Sequence, residues 1–432
     1  MKKILSAAFI AALSTVASAQ SGTNSPYSQY GLGVLSDQTS GFNRGMNGLG
    51  LGFHEHNQIN YLNPASYSSI DSLSFIFDAG VSGQITNFEE GGTKINANNA
   101  NFEYVVGGFR LAKHFGLSFG LLPFTNVGYQ YSSTGRVGGA DVSTTQYVNT
   151  YSGSGGLHQV YLGVGWQPVK GFSIGVNGSY LWGDYDRTVE NAYTDNTINT
   201  LSKYYSASVR SYKLDFGLQY SFKVSKNDEV TIGAAYGLGH KLGADAICQV
   251  RSTNAAAGIG DTVTYTVNDA LEIPATYGAG LAWIHDNRLK VGADYTLQKW
   301  SSVEYPVYSV AGGKPQYVLA DGLFSDRHKV TVGGEFCADE SSRSFIKRIR
   351  YRVGASYATP YLKINGQDGP KEYSVSAGFG IPIINGYNNR SILNISGQWV
   401  RQDSKMFITE NTFRINIGLT FNERWFAKWK ME

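Results

Sequence analysis

Two cysteines in 432 residues, Cys248 and Cys337, are too few for a disulfide framework. Charge is sparse too: Asp, Glu, Lys and Arg make up 16% of the chain, and the formal net charge is +3. No basic tract is long enough to imply a nucleic-acid partner. Beyond residue 20, no apolar run reaches the roughly 18 residues of a spanning helix. No glycine loop leads into a helix, so a phosphate site of that kind is excluded. Seven histidines are scattered, and only His54 and His56 lie close together. His54-Glu55-His56 lacks further ligands nearby and reads as a polar loop, not a metal site. Gly116-Leu117-Ser118-Phe119-Gly120 has the spacing of a nucleophile elbow, which needs a strand, a sharp turn and a helix. Here Ser118 falls inside an alternating strand, on the face opposite Leu117 and Phe119. No enzyme, cofactor or metal is expected.

What the chain does have is glycine and aromatics: 52 Gly, 29 Tyr and 22 Phe. With so little charge, that suits a sheet protein with aromatic girdles. Lys2 and Lys3, the apolar stretch 4–16 and Ala17-Ser18-Ala19 form a secretory leader, 1–19. No Cys follows the cleavage site, so a lipid anchor is not expected. The stretch Gln58-Ile59-Asn60-Tyr61-Leu62-Asn63-Pro64-Ala65-Ser66-Tyr67 divides the rest. Before it, the sequence is rich in Gly, Ser and Asn and has no clean period. After it, apolar and polar residues alternate to the C-terminus, as in half-buried strands. About fourteen strands are expected, beginning near Ser72, Asn101, Phe115, Gly156, Gly171, Lys203, Asp228, Glu272, Arg288, Arg327, Lys347, Lys371, Arg390 and Thr412.

The connections alternate in length. Residues 87–100, 132–155, 186–202, 244–271, 302–326, 359–370 and 402–411 are long and polar. Short links such as 113–114, 167–170, 225–227, 286–287 and 385–389 fall between them. Outer-membrane barrels pair long outer loops with short periplasmic turns. The expected fold is all-β: a 14-stranded antiparallel transmembrane β-barrel with an N-terminal hatch, or plug, inside the lumen. The division is leader 1–19, hatch 20–71, barrel 72–421 and a periplasmic aromatic and basic tail 422–432. Charges facing lipid would cost about 2–4 kcal/mol each at mid-depth. Asp78, Glu335, Arg348, Arg350, Arg352 and Arg414 are therefore assigned to the lumen. The three arginines alternate on one strand and need counter-charges; Glu55 is a candidate partner. Pro123 removes a ladder donor from the third strand, and with Gly128 it argues against continuous pairing over 121–129.

The chain resembles the FadL-type outer-membrane transporters of long-chain fatty acids and hydrocarbons. Ser40-Gly41-Phe42-Asn43-Arg44-Gly45-Met46-Asn47-Gly48 is similar to that family's Gly-x-x-Arg-Ala-x-x-Gly opening, with Gly45 in place of Ala. Asn63-Pro64-Ala65 resembles its Asn-Pro-Ala motif. Pro123-Phe124 resembles its Pro-aromatic break. The stretches 273–280 and 327–335 resemble two later strands. The resemblance implies that Arg44 and Asn63-Pro64-Ala65 belong to the hatch and Pro123-Phe124 to the gap. It implies passive uptake of a hydrophobic small molecule with lateral release into outer-membrane lipid. The alternative is a scaffold of the same fold within an outer-membrane secretion or assembly complex. The tail, with Trp425, Phe426 and Trp429 beside Arg424, Lys428 and Lys430, suits an interfacial segment at the periplasmic face and equally a docking surface for a protein partner.

Overall fold

The computed structural model describes residues 22–137, 145–254, 256–383, 391–404 and 406–424. The leader, the turn 385–389 and most of the aromatic tail (425–432) lie outside the described residues. Fourteen antiparallel strands close into a barrel. They are β1 (Ser74–Glu90), β2 (Thr93–Ala112), β3, β4 (Gln146–Val169), β5 (Phe172–Tyr193), β6 (Thr200–Lys223) and β7 (Asp228–Gly237). The ring continues with β8 (Thr276–His285), β9 (Leu289–Gln298), β10 (Arg327–Phe336), β11 (Arg350–Ala358), β12 (Lys371–Ile383), β13 (Ser391–Asp403) and β14 (Thr409–Arg424). Strand β3 is in two arms, Phe115–Pro123 and Thr125–Arg136. Closure is by β1 on β14, from Ser74↔Arg424 to Glu89↔Thr409.

Alternation decides which face is which. On β14, Ile417 is 46% exposed and its neighbour Asn416 only 4%. Apolar side chains point out and polar ones in, the reverse of a soluble sheet and the arrangement lipid requires. No helix among the described residues is long and apolar enough to cross a membrane.

The long connections are more regular than the sequence implies. Residues 87–100 continue β1 and β2 as a ladder to a tight turn at Gly91-Gly92, where φ is +56° and +84°. Residues 244–271 contain a hairpin, Ala246–Asn254 against Ile259–Val267, that extends the wall beside β6. Residues 302–326 hold another, Tyr305–Ala311 against Lys314–Ala320. A ladder needs backbone partners, not an apolar face. Where both faces are polar, the alternation that signals a strand disappears although the strand persists.

Inside the ring, the N-terminal segment packs on inward-facing wall residues. A short helix, Gly41–Gly45, and the residues after it place Phe42, Met46, Leu49 and Phe53 in one apolar cluster with Ala282 of β8. Ile59, Tyr61, Tyr67 and Ile70 form another with Tyr104, Leu122 and Tyr161. Over the end that carries the long connections, Leu32 packs with Leu157, Leu181, Leu271, Trp300 and Phe324 in a third. The two cysteines are free and buried, Cys248 in the hairpin and Cys337 beyond β10.

Candidate functional site

The wall is interrupted at Phe124. The lower arm of β3 pairs with β2 only as far as Val105↔Leu121, and with β4 as far as Pro123↔His158. The upper arm keeps β4, from Val127↔Gly155, and loses β2. Strand β4 accommodates the step at Gly155 and Gly156, whose φ values of +117° and +141° suit glycine. A Cβ on Gly156 would lie 2.4 Å from the Thr125 carbonyl oxygen, so no other residue fits.

Backbone freed by the break is taken up by the N-terminal segment. Val34 and Leu35 add a two-residue strand to Asn126 and Thr125. The Ser36 N–H donates to the Phe124 carbonyl (3.0 Å), and the Gln38 amide to that of Pro123 (2.8 Å). The Gly128 N–H donates to Ser28 Oγ at 3.1 Å, and Tyr131 donates to Gln29 at 2.9 Å. Asn101 on the opposite bank, β2, donates to the Gly22 carbonyl at 2.9 Å. Unpaired backbone in lipid costs several kcal/mol per group, and these contacts remove that cost.

Behind the break lies a cavity of about 260 Å³. Leu35, Phe124, Leu62 and Trp300 give it apolar walls; Asp37, Lys213, Asp215, Asp294, Lys329 and Glu372 give it charge. Asp294 of β9 accepts the N–H groups of Gly50 and Leu51 at 2.7 and 2.9 Å. Arg414 Nη1 meets Asp37 at 2.9 Å and its Nε donates to Gln84 at 3.0 Å. Burial alone would raise the Asp37 pKa; Arg414, with Lys329 and Arg44, overcomes that and holds it at about 2.

Arg44 and Asn63-Pro64-Ala65 lie against the wall on different strands. Arg44, buried, meets Glu103 at 2.7 Å and Asn416 at 3.2 Å. Next to it, a Cβ on Gly45 would lie 3.0 Å from the Arg352 side chain, a tight contact to which Arg352 would have to yield. The Asn63 side-chain Oδ1 accepts from the Ala65 N–H (3.1 Å) and caps the short helix Pro64–Ser69. Its amide donates to the carbonyls of Leu51 and Leu218 at 2.9 and 3.1 Å. The facing wall is glycine: a Cβ on Gly217 would fall 2.1 Å from Asn63 Oδ1, and one on Gly175 2.3 Å from Pro64 C.

The lumen charges divide. Glu335 receives Arg350 at 3.0 Å, Arg352 at 2.7 Å and Lys290 at 3.3 Å. Lys290 also pairs with Glu55, and Arg350 lies 3.7 Å from it, so the cluster ties the N-terminal segment to the wall. Burial alone would raise the Glu55 pKa; Lys290, with Arg350, overcomes that and holds it below the usual carboxylate range. Asp78 is buried and accepts from Tyr104 at 3.0 Å. Arg348 does not join the cluster. It ends a helical turn, Phe345–Arg348, outside β11, and donates to the Ser342 carbonyl at 3.0 Å. The turn breaks the alternation that put Arg348 in line with Arg350 and Arg352. Ser118 is buried within β3 and bonded to Tyr161 and the Gly107 carbonyl.

Glu103, the partner of Arg44, was not legible. A bulge opposite Gly80 and Val81 on β1 turns two successive residues of β2, Glu103 and Tyr104, inward. A two-residue period places only one of them there.

A family model described as BamG matches residues 1–432. The chain belongs to the BamG family. No curated protein matches it. Solved structures resemble it in fold. The Ralstonia pickettii toluene transporter TbuX has a TM-score of 0.61 at 15% identity, covering 90% of this chain and 99% of that one. The P. putida toluene transporter TodX gives 0.61 at 14%, with 90% and 99% covered. A Pseudomonas aeruginosa FadL homologue gives 0.57 at 13%, with 90% and 99% covered. The FadL-type resemblance therefore holds as a fold, and this BamG-family chain shares the FadL-type barrel.

Proposed function

We propose that this protein is an outer-membrane channel for passive uptake of small hydrophobic or amphipathic molecules. They enter from outside and leave sideways through the wall at Phe124, with residues 20–71 as the hatch. One observation carries the reading: the cavity and the break share Phe124 and Leu35. A cavity of about 150 Å³ suffices for benzene, so 260 Å³ suits a ring with a short substituent. A long-chain fatty acid would need the N-terminal segment to move. That the solved toluene transporters share the fold is consistent with a ring-sized ligand. The outward apolar face suits outer-membrane lipid, and the leader suits export.

A reversible lock tests this. Ser28→Cys with Gly128→Cys places thiols where the segment meets the upper arm of β3. Uptake of labelled toluene into cells should fall on oxidation and recover on reduction. Equal uptake in both states would sink the lateral route.

The charged cavity lining favours a second reading, a scaffold subunit of an outer-membrane protein secretion or assembly complex. A barrel that is never emptied tolerates such an interior. Under this reading a protein partner co-purifies stoichiometrically in mild detergent, and deleting the gene leaves uptake unchanged.

A further inference from the structure

We infer that the cavity is a binding site for a small amphiphile with an apolar ring and a protonated amine, held by Asp294; this deepens the channel reading and rests on it. Asp294 is 6% exposed and stands over Gly280, where a Cβ would lie 2.2 Å from its Oδ1. Its Oδ2 accepts two N–H groups of the N-terminal segment, but Oδ1 has no hydrogen-bond partner. The other carboxylates on the cavity wall are paired: Asp215 with Lys213, Glu372 with Arg327 and Asp37 with Arg414. Among the described residues, Asp294 is therefore the cavity carboxylate that no cation meets. A buried carboxylate oxygen without a donor is destabilised, and a ligand that supplies one gains by the difference.

Tyr61 also lines the cavity, its hydroxyl set among Ser179, Gln159 and Asp215. Asp294 is thus a buried polar group with unused capacity in a cavity that also presents the apolar surfaces of Leu62, Phe124 and Trp300. A bare hydrocarbon fills the apolar part and leaves Asp294 unsatisfied. An anionic analogue brings a like charge to Asp294. A ring with a short ammonium arm satisfies Asp294 without either penalty.

Purified full-length protein in detergent, titrated with phenethylamine, ethylbenzene and 3-phenylpropionate, tests the assignment by calorimetry and native mass spectrometry. Phenethylamine should bind one to one, and more tightly than the other two by roughly 10- to 100-fold. Asp294→Asn keeps a carbonyl for the Gly50 and Leu51 N–H groups. It should cost the amine that same factor and leave ethylbenzene unchanged. Heat-modifiable gel mobility reports folding; should this variant fail to fold, neutral 2-phenylethanol titrated into the wild type replaces it, with binding severalfold weaker than the amine expected. Equal binding of amine and hydrocarbon, or no amine binding at all, would overturn the site. Uptake into proteoliposomes separates the two claims. Permeation of all three probes without amine preference, together with equal binding, overturns the site and leaves the channel. Amine binding without permeation supports the site and defeats the channel.

Discussion

Arg44 and Glu103 are buried against each other, and among the described residues neither makes another ion pair. Removing one side of such a pair strands the other, which costs about 3–5 kcal/mol. Arg44→Met should therefore loosen the N-terminal segment while the barrel persists. Amide exchange would show it as lost protection over residues 36–50 and retained protection in β1 and β14. Adding Glu103→Leu should restore most of the loss, because the charge left alone is gone. The Asp37–Arg414 contact makes a different demand. The folded Asp37 pKa is about 2, below the unfolded value of about 3.9. A depressed carboxylate pKa gives stability that is complete above the unfolded value and lost as pH falls through the folded one. Glu55 is shifted in the same direction. Their contribution to exchange protection in the segment, read as the difference between the wild type and Asp37→Asn with Glu55→Gln and corrected for intrinsic rate, should be flat from pH 5 to 8. A drop within that window would mean these two carboxylates are not what holds it.

At the scale of the element, the break in β3 rests on β4 as much as on Pro123. Pro123 is the last residue paired with β4 before the step, and the ladder to β2 has already ended at Leu121. Replacing it with Val should leave the break, the fold and uptake nearly as they are. Gly156→Ala should not, since its Cβ would meet the Thr125 carbonyl at a φ of +141°. Heat-modifiable mobility and uptake, measured for both variants, would check this; a defect in Pro123→Val with none in Gly156→Ala would reverse the argument. The same strands show what the sequence could disclose. Strand starts at Phe115, Asp228, Arg327 and Lys371 were legible, because a lipid-facing stripe against a polar lumen enforces a two-residue period. The ladders beyond that stripe were not, because polar strands carry no such period. Glu103 was hidden by a bulge, and Arg348 by a helical turn. Pro123 and Asn63-Pro64-Ala65 stood out by residue type. Their glycine counterparts on the wall, Gly156, Gly175 and Gly217, were lost among 52 glycines, since each matters only through what it faces.

For the whole molecule, orientation follows from closure. With fourteen strands, β1 begins and β14 ends at the same rim, paired through Ser74↔Arg424. The turns on that rim are short, at Lys113-His114 after β2 and Lys170-Gly171 after β4. The opposite rim carries the two added hairpins and the apolar cluster around Leu271, Trp300 and Phe324. Long connections cross to the outer surface and short turns stay periplasmic in bacterial barrels. The hairpin turn Gly312-Gly313, at φ +58° and +78° with open space around both residues, is then an outer tip that tolerates insertion. An epitope there should be reached by antibody on intact cells, as should one at Gly138, which lies outside the described residues. An epitope at Lys170 should be reached only after the outer membrane is opened. The test bears on function too. The proposed lateral route needs the cavity to sit between an outer entrance and a gap in the wall, with the Glu55–Lys290–Glu335–Arg350 cluster closing the periplasmic side. Reversed labelling would put that cluster at the outer face and the long hairpins in the periplasm. Uptake from outside would then have to pass four buried charges before reaching the cavity, and the channel reading would fail with the topology.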